Sequence, residues 1–262
     1  MTGWSQKLTN KTSRAMKILL LDIETAPNIA HVWGLWQQNV AINQIVASGY
    51  VMCWAAKWYG QDELYFDSVH HSKPKKMLSG IYKMLEEADA VVHYNGTKFD
   101  IPTLNKEFLI HGMTPPSPYK QIDLLQTARS QFRFPSNKLD YIAQALDLGK
   151  KVKHIGHDLW VQCMAGNDEA WQQMEEYNRQ DVVLLERVYE KLKPWIKSHP
   201  NYGVYEGGTC CTNCGSISYQ RRGWAYTNAN KFQRFRCNEC GSWFRANRSN
   251  LFDEPKKFLT VA

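Results

Sequence analysis

Apolar positions in the first two hundred residues follow two patterns, short continuous runs and runs with helical spacing. Continuous runs are typical of strands that are covered on both faces of a sheet. Five strands are predicted, in KILLLDIE from Lys17, GYVMCWAAKWYG from Gly49, ELYFDSV from Glu63, DAVVHYNG from Asp89 and YKQIDLLQTAR from Tyr119. We expect the second and third strands to be antiparallel neighbours.

Helical spacing defines the other elements. Met77, Ile81 and Leu85 recur at the interval that puts them on one face of a helix. Helices are predicted in residues 74–88, in 99–112 with Gly112 as its stop, in 136–149 between a Ser136 or Asn137 cap and Gly149, and in 168–196 as one or two helices. This order of elements predicts an α/β domain of ribonuclease-H-like type, with a mixed five-stranded sheet flanked by helices.

Charge is distributed unevenly along the chain. Of the formal net charge of +7, the segment from Gly208 to Asn250 carries +6, because it has seven basic residues and one acid. A basic segment indicates an anionic partner. The amino-terminal residues lack the apolar core of a signal peptide, and no apolar run has the length of a membrane span. We therefore expect a cytoplasmic protein with no membrane partner.

Two acids close the first predicted strand. Asp22 and Glu24 are two residues apart, so both side chains project from the same face at the carboxyl end of the strand. This end of a strand is where α/β proteins place their active sites. Taken alone, the pair is explained equally well as a solvated strand end.

Two further segments carry acids at defined spacings. Asp100 follows the strand and turn that end in His93 and Asn95, and on its own it would be a helix N-cap. Tyr177 and Asp181 are four residues apart and therefore share one face of a helix, which on its own would be a polar surface.

Together, these segments resemble the three motifs of the DEDD superfamily of 3′–5′ exonucleases, in the Tyr-containing branch that includes the proofreading domains of family-B and family-A DNA polymerases. Asp-x-Glu is matched by Asp22 and Glu24, Asn-x-x-x-Phe-Asp by Asn95, Phe99 and Asp100, and Tyr-x-x-x-Asp by Tyr177 and Asp181. The other branch has a His where Glu176 stands. The resemblance covers residues 17–198, and because the chain is too short for a polymerase domain we expect a stand-alone nuclease of phage or bacterial type.

The resemblance implies a site with two Mg²⁺ or Mn²⁺ ions, and such hard cations prefer carboxylate oxygens. It implies that Asp22 contacts both ions. Glu24 and Asp181 would help to hold the ion that binds the attacking water, and Asp100 would act on the other ion through water. Tyr177 would orient the attacking water, since a phenol is a poor base at pH 7.

Substrate contacts are also implied by the resemblance. Asn95 and Phe99 would contact the 3′-terminal nucleotide, and the backbone around Thr25 would lie beside its base. The long connection between the first two strands, NIAHVWGLWQQNVAINQIVAS, is expected near the site. Trp33 and Trp36 within it are expected to pack over the sheet, with stacking on substrate as the alternative. The run KKVKH from Lys150 either contacts phosphate or is solvated.

Five of the seven cysteines lie close together near the carboxyl terminus. Two Cys-x-x-Cys-Gly knuckles predict one structural Zn²⁺, since four thiolates form a closed tetrahedral site. The predicted ligands are Cys211, Cys214, Cys237 and Cys240. Cys210 is adjacent but breaks the spacing, and Cys53 and Cys163 are expected to be structural.

The cysteine segment resembles a zinc ribbon, a small module that depends on its metal to fold. Basic and aromatic residues are interleaved in it, which suits single-stranded nucleic acid. The candidate strand-binding residues are Arg221, Arg222, Trp224, Arg234 and Arg236. One alternative is that the aromatic residues form a mini-core with a solvated basic face, and another is that the ribbon docks on a protein. The predicted boundaries are a flexible tail over 1–15, the nuclease domain over 16–199, a linker over 200–208, the ribbon over 209–250 and a tail over 251–262.

These features predict a metal-dependent 3′–5′ exonuclease of proofreading or repair type, acting on single-stranded DNA. The ribbon would bind the strand or a replication partner such as a DNA polymerase. The same chemistry on RNA is one alternative. The other is an inactive adaptor that binds nucleic acid, which the presence of all four acids and the Tyr disfavours.

Overall fold

The computed structural model describes residues 15–152 and 155–248. The predicted tails, apart from Ala15, lie outside these ranges. The chain divides into two compact units, Lys17–Ser198 and a carboxyl-terminal unit that begins at His199. In the described part of the chain, none of the helices combines the length and the apolarity that crossing a membrane requires.

A mixed five-stranded sheet lies at the centre of the first unit, as predicted. The strands of this unit are β1 (Ile18–Thr25), β2 (Ile29–Ala30), β3 (Ile45–Ala47), β4 (Val51–Trp58), β5 (Leu64–Ser68), β6 (Ala90–His93) and β7 (Lys120–Asp123). The sheet has the order β5-β4-β1-β6-β7. The β4 strand runs antiparallel to β1 and β5, whereas β6 and β7 run parallel to β1.

Helices cover both faces of this sheet. They are α1 (Pro74–Glu87), α2 (Asp100–Ile110), α3 (Leu124–Gln131), α4 (Leu139–Ala145), α5 (His157–Met164) and α6 (Asp168–Leu192). Leu19, Leu21 and Ile23 of β1 share a buried cluster with residues of α1 and α2. Side chains alternate along a strand, so Asp22 and Glu24 project from the other face of β1, where α6 packs.

Several helix boundaries differ from those predicted. The α4 helix begins at Leu139 with Lys138 as its N-cap and without a side-chain cap, so neither Ser136 nor Asn137 is the cap. Ser136 Oγ instead accepts a hydrogen bond from the Lys138 N–H at 3.3 Å, which orders the approach to the helix. The last predicted helix is one continuous element, α6, followed by a short 3₁₀ turn at Lys193–Trp195.

The connection between β1 and β4 forms a hairpin of its own, in which β2 pairs with β3 antiparallel. We call residues 26–50 the Trp hairpin. The prediction that its two tryptophans pack over the sheet is wrong, because Trp33 is 99% exposed and Trp36 is 84% exposed. The chain pairs β2 with β3 instead of folding back over the sheet, and both tryptophans lie in the connection between these two strands.

The carboxyl-terminal unit has a short helix, α7 (Tyr202–Glu206), where a linker was predicted. Its sheet has the order β10-β9-β8 and consists of β8 (Tyr219–Tyr226), β9 (Lys231–Cys237) and β10 (Trp243–Arg245). Tyr219, Phe235 and Phe244 pack against one another with ring centroids 5.4–5.5 Å apart. This aromatic cluster is a small core for the sheet.

Candidate active site

Three carboxylates from distant parts of the chain converge on one face of the large sheet. One oxygen atom from each of Asp22, Glu24 and Asp181 lies within 4.8 Å of the other two. Asp22 and Glu24 come from β1, and Asp181 comes from the middle of α6. We call these residues the carboxylate group. Each of the three was a candidate metal ligand from the sequence.

Asp100 lies beside the carboxylate group without belonging to it. It is the first residue of α2, is 4% exposed, and accepts a hydrogen bond on Oδ1 from the Ile23 N–H at 3.3 Å. The N-cap of α2 is Phe99, which makes no side-chain cap bond. The alternative explanation of Asp100 as a helix N-cap is therefore wrong, and its side chain is turned toward the backbone of β1 between the two acids.

Two residues that sequence reasoning did not single out contact these acids. The buried Asn178 donates from Nδ2 to Asp22 Oδ2 at 2.7 Å. The Lys151 ammonium group forms an ion pair with Asp181 and donates to the Tyr177 hydroxyl at 3.1 Å. The sequence contains one signal for each residue. Asn178 is next to Tyr177, and Lys151 belongs to the basic run from Lys150.

Burial changes the proton affinity of these acids. It raises the pKa of Asp22 well above its ordinary value, and the neighbouring carboxylates raise it further. Burial raises the pKa of Glu24 to about 8, although the charge of Lys151 opposes the change. Burial also raises the pKa of Asp100 to about 7. The acids are therefore short of positive charge at neutral pH.

The two other polar groups at the site stay protonated at neutral pH. Burial and the charge of Asp181 raise the pKa of Tyr177, so its side chain is a neutral phenol. For Lys151, burial alone would lower the pKa, but the charge of Asp181 more than offsets that effect and the pKa is raised. Lys151 thus supplies one fixed positive charge to a group of acids that needs more. The carboxylate donor set of Asp22, Glu24 and Asp181 fits hard divalent ions such as Mg²⁺ or Mn²⁺.

A cleft of about 550 Å³ opens next to Asp22. Three cationic side chains line it, together with Asn95. The cations are Arg129, Lys138 and Lys151. Asn95 has a left-handed backbone conformation, with φ of 67°, and its N–H donates to Asp123 Oδ1 at 3.0 Å. The cleft therefore combines one of the predicted nucleotide contacts with a wall that can attract phosphate.

The other two predicted nucleotide contacts lie close to the acids in the chain. Thr25 is the partly buried last residue of β1, where the register with β4 shifts between Glu24 and Thr25. Phe99 is 44% exposed directly before α2. An exposed ring at this position is available for contact with a base.

Comparison with known proteins agrees with this architecture. A family model described as the RNase_H superfamily matches residues 19–193, more than half of the chain. The chain belongs to the ribonuclease H superfamily. Members of the superfamily that are nucleases use divalent metals, and the carboxylate group offers suitable ligands for them.

Among solved structures, this ribonuclease H superfamily member is similar to the family B DNA polymerase from the hyperthermophilic archaeon Pyrobaculum calidifontis. The two share 16% identity with a TM-score of 0.53, over 84% of this chain and 32% of the polymerase chain. The chain thus spans about a third of the length of that polymerase, and the likeness concerns the fold. No curated protein matches the chain.

This superfamily member also carries a second candidate metal site, in its carboxyl-terminal unit. Four cysteine sulfurs lie within 4.8 Å of one another, and Cys210 is not among them. They belong to Cys211, Cys214, Cys237 and Cys240, the residues predicted from the sequence. The glycines after the two knuckles, Gly215 and Gly241, have φ of 75° and 80°, a conformation that favours glycine. We call these cysteines the thiol group.

The thiols differ in proton affinity. Burial raises the pKa of Cys214 to about 11. Burial also acts to raise the pKa of Cys237, but the backbone N–H groups of Cys240 and Glu239 donate hydrogen bonds to its sulfur and lower the pKa to about 7. Backbone amides directed at sulfur favour the thiolate, the form that binds metal. Four thiols at these distances fit tetrahedral zinc.

The predicted strand-binding residues of this unit fall into two groups. Four of them carry exposed guanidinium groups, and Trp224 is half-buried. The four are Arg221, Arg222, Arg234 and Arg236. Three cations of the unit lie over aromatic rings, with Lys231 Nζ 4.2 Å from the ring centroid of Trp224 as one example. The aromatic side chains are thus largely engaged within the unit, and the arginines provide most of its exposed charge.

Proposed function

We propose that this protein is a metal-dependent 3′–5′ exonuclease of the Tyr-containing branch, which removes nucleotides from the 3′ end of single-stranded DNA. The observation that carries the proposal is the carboxylate group, with Asp100 and Tyr177 beside it. Membership in the ribonuclease H superfamily indicates a nuclease. The finer assignment to this branch and this polarity rests on the three motifs.

The carboxylate group would hold the divalent metal, and Asp100 would act beside it. When bound, Mg²⁺ or Mn²⁺ would supply a nucleophile at neutral pH and a sink for the charge on the phosphate. Asn178 fixes one oxygen of Asp22 by its 2.7 Å hydrogen bond. Asp22 is therefore held in one orientation before any metal or substrate arrives.

Tyr177 and Lys151 would act directly on the reacting groups. The Tyr177 hydroxyl accepts a hydrogen bond from Lys151, which fixes its position beside the acids. A phenol with a raised pKa does not abstract a proton at neutral pH, so its role would be to orient water by hydrogen bonding. Lys151 would place a fixed positive charge next to the scissile phosphate.

The cleft beside Asp22 would receive the terminal nucleotide. Asn95 lines it, and the cationic wall of Arg129, Lys138 and Lys151 would contact phosphate oxygens. Phe99 would pack against the terminal base with its exposed ring. A single strand can bend into a cleft of this size, whereas a paired end would first have to separate.

The thiol group would bind one structural Zn²⁺ and hold the carboxyl-terminal unit together. The exposed arginines of that unit, Arg221 and Arg222 among them, would contact the strand, with Trp224 as a supporting contact. The fold likeness to a family B DNA polymerase supports a replication setting, in which the partner would be a polymerase or another replication protein.

The test compares Asp22→Asn with Glu176→Gln. Glu176 is an exposed acid on the same helix as Asp181, outside the carboxylate group, so it is a matched control. A 5′-labelled single strand of DNA is incubated with Mn²⁺, and shortening from the 3′ end is followed on a gel. We expect wild type and Glu176→Gln to degrade the strand. Asp22→Asn should be slower by at least about a thousandfold.

The same assay separates the alternatives. A strand blocked by a 3′-phosphorothioate linkage should resist degradation, which establishes the polarity. An RNA strand of the same sequence decides between a DNA and an RNA substrate. If wild type and Asp22→Asn leave all strands equally intact but still bind them, the protein is a binding adaptor and the nuclease proposal fails.

A further inference from the structure

The Trp hairpin exposes large apolar side chains at its tip. Trp33, Leu35, Trp36 and Ile42 are between 84% and 99% exposed. Single exposed apolar residues are common on soluble proteins, but a cluster of four in one hairpin indicates a surface that binds something. The function proposed above does not use it.

Hydrogen bonds give this hairpin a defined structure. At its root, the Ala26 N–H donates to Tyr50 O at 2.9 Å. Midway, the His31 N–H donates to Gln44 O, and Gln44 Nε2 donates back to His31 O, both at 2.9 Å. The exposed tryptophans are therefore carried by an ordered element, so ordering them on binding costs less conformational entropy.

The hairpin is also attached to the elements that carry the candidate catalytic residues. Ala26, at its root, follows Glu24 by two positions and shares a buried cluster with Tyr177. On its other side, Lys106 of α2 donates to Gly49 O at 2.8 Å, and α2 begins with Asp100. The root of the hairpin is therefore held next to the elements that carry Glu24 and Asp100.

The composition of this segment indicates what it binds. Between Glu24 and Lys57 the sequence contains no Asp, Glu, Lys or Arg. A surface that binds phosphates would carry cations, and the cationic side chains lie in the cleft instead. The faces of bases are apolar and stack on aromatic side chains without any need for charge. Trp33 and Trp36 match the bases of a strand whose phosphates are bound elsewhere.

We propose that Trp33 and Trp36 stack on unpaired bases of the strand whose 3′ end occupies the active site, a few nucleotides before that end. This inference rests on the proposed nuclease function for the direction of the strand. Trp33 follows Ala26 by seven positions, so the two residues are at most about 25 Å apart when the chain is extended. This length places Trp33 and Trp36 within reach of the nucleotides that precede the terminal one.

Binding is measured first, without catalysis. A 12-nucleotide DNA strand carries 2-aminopurine near its 3′ end, and its fluorescence is titrated with full-length protein in buffer free of Mg²⁺ and Mn²⁺. We expect the double variant Trp33→Ala, Trp36→Ala to bind about fivefold to a hundredfold more weakly than wild type. The double variant with Phe at both positions should regain most of the affinity, because a phenyl ring still stacks.

Leu35→Ala and Ile42→Ala are the matched controls on the same hairpin. Both residues are as exposed as the tryptophans but have no aromatic face. Stacking predicts that the two aliphatic variants bind the strand within about twofold of wild type. If they lose as much affinity as the Trp variants, or if wild type sediments as a dimer that the Trp and Leu35 variants all break, the hairpin is a hydrophobic protein-docking surface and the proposal is overturned.

A small substrate separates this inference from the nuclease function. The p-nitrophenyl ester of thymidine 5′-monophosphate fills the active site alone. We expect the Trp33→Ala, Trp36→Ala variant to lose at least tenfold more kcat/KM on the 12-nucleotide strand than on the ester. Equal losses would show that the tryptophans support the active site rather than the strand. If wild type hydrolyses neither substrate, the nuclease proposal fails, and the binding titration still decides whether the tryptophans stack.

Discussion

The carboxylate group and the thiol group each bring together side chains that could bind a metal ion. The two groups differ in what holds their side chains in position. Asp22 and Asp181 lie on β1 and α6, which a large buried core keeps in position. The thiols lie on two knuckles joined by a small sheet, in which Phe232 is one of few buried apolar residues. The first fold can hold its ligands without a cation, whereas the second has little else to hold it together.

This difference separates two uses of a metal. In the first unit, burial and the proximity of the other carboxylates raise the pKa of Asp22, and the positive charge of Lys151 partly offsets this effect. If the thiol group of the second unit binds zinc as proposed, metal binding and folding would be one process there, because the ligands converge only when the knuckles form. Removal of metal should therefore abolish the proposed activity of the first unit and unfold the second unit.

The largest effect is expected for Cys237→Ala. Loss of one thiolate removes most of the binding free energy of zinc, about 10–16 kcal/mol in small zinc modules, so the carboxyl-terminal unit should unfold while the first unit stays folded. Zinc content and limited proteolysis measure both properties. Cys210→Ala is the control and should keep its zinc, since Cys210 lies outside the thiol group. Full zinc content and protease resistance in Cys237→Ala would contradict a structural zinc site.

The next effect concerns pH and the first unit. The pKa of Glu24 is raised from 4.5 to about 8 on folding. Between these values the folded chain binds more protons than the unfolded chain, so the free energy of unfolding should fall as pH rises from about 5 to about 8. The expected change is on the order of 3 kcal/mol, measured by urea unfolding in buffer free of Mg²⁺ and Mn²⁺.

Two comparisons bear on that pH dependence. Glu24→Gln should flatten it, because the amide does not titrate. Addition of Mn²⁺ to wild type should flatten it as well, because a bound cation favours the ionised acids. A slope that neither change alters would mean that the carboxylate group does not govern the stability of the first unit.

Lys151→Gln should have a smaller effect on stability. The variant removes a fixed positive charge that forms an ion pair with Asp181, so the first unit should lose about 2 kcal/mol in buffer without divalent metal. Mn²⁺ should restore part of the loss. Lys150→Gln, at the exposed neighbouring position, is the control and should be within about 0.5 kcal/mol of wild type. The same loss for both variants would show that Lys151 has no special relation to the acids.

The smallest effect is expected on the surface of the second unit. If Arg221 and Arg222 bind phosphates, replacing each of them with Ala should lower the slope of the salt dependence of strand binding by about one. Lys75→Ala, at an exposed position on α1, serves as the control. An unchanged slope in the Arg variants would favour a partner protein as the ligand of the ribbon.

The residues that could be predicted from the sequence are those whose position follows from local geometry. Asp22 and Glu24 share a strand face because side chains alternate, and Tyr177 and Asp181 share a helix face because they are four residues apart. The five strands followed from apolar runs, and the thiol group followed from knuckle spacing. In each case, the sequence pattern that supports the prediction spans only a few residues.

The features that could not be predicted depend on the path of the chain in three dimensions. Lys151 reaches Asp181 from a segment 30 residues away in the sequence, and spacing within a basic run does not reveal which lysine does so. The exposure of Trp33 and Trp36 was predicted wrongly. The sequence of a connection is the same whether the connection packs over the sheet or forms a separate hairpin, so apolar residues within it do not reveal which of the two occurs.

The order of the acids along the chain decides when the proposed active site can be complete during synthesis. Asp22 and Glu24 are synthesised early, whereas Asp181, the third member of the carboxylate group, is synthesised much later. A polypeptide that stops before α6 lacks Tyr177, Asn178 and Asp181 together. An interrupted product of translation therefore has no complete site, and under the proposed function it would have no nuclease activity.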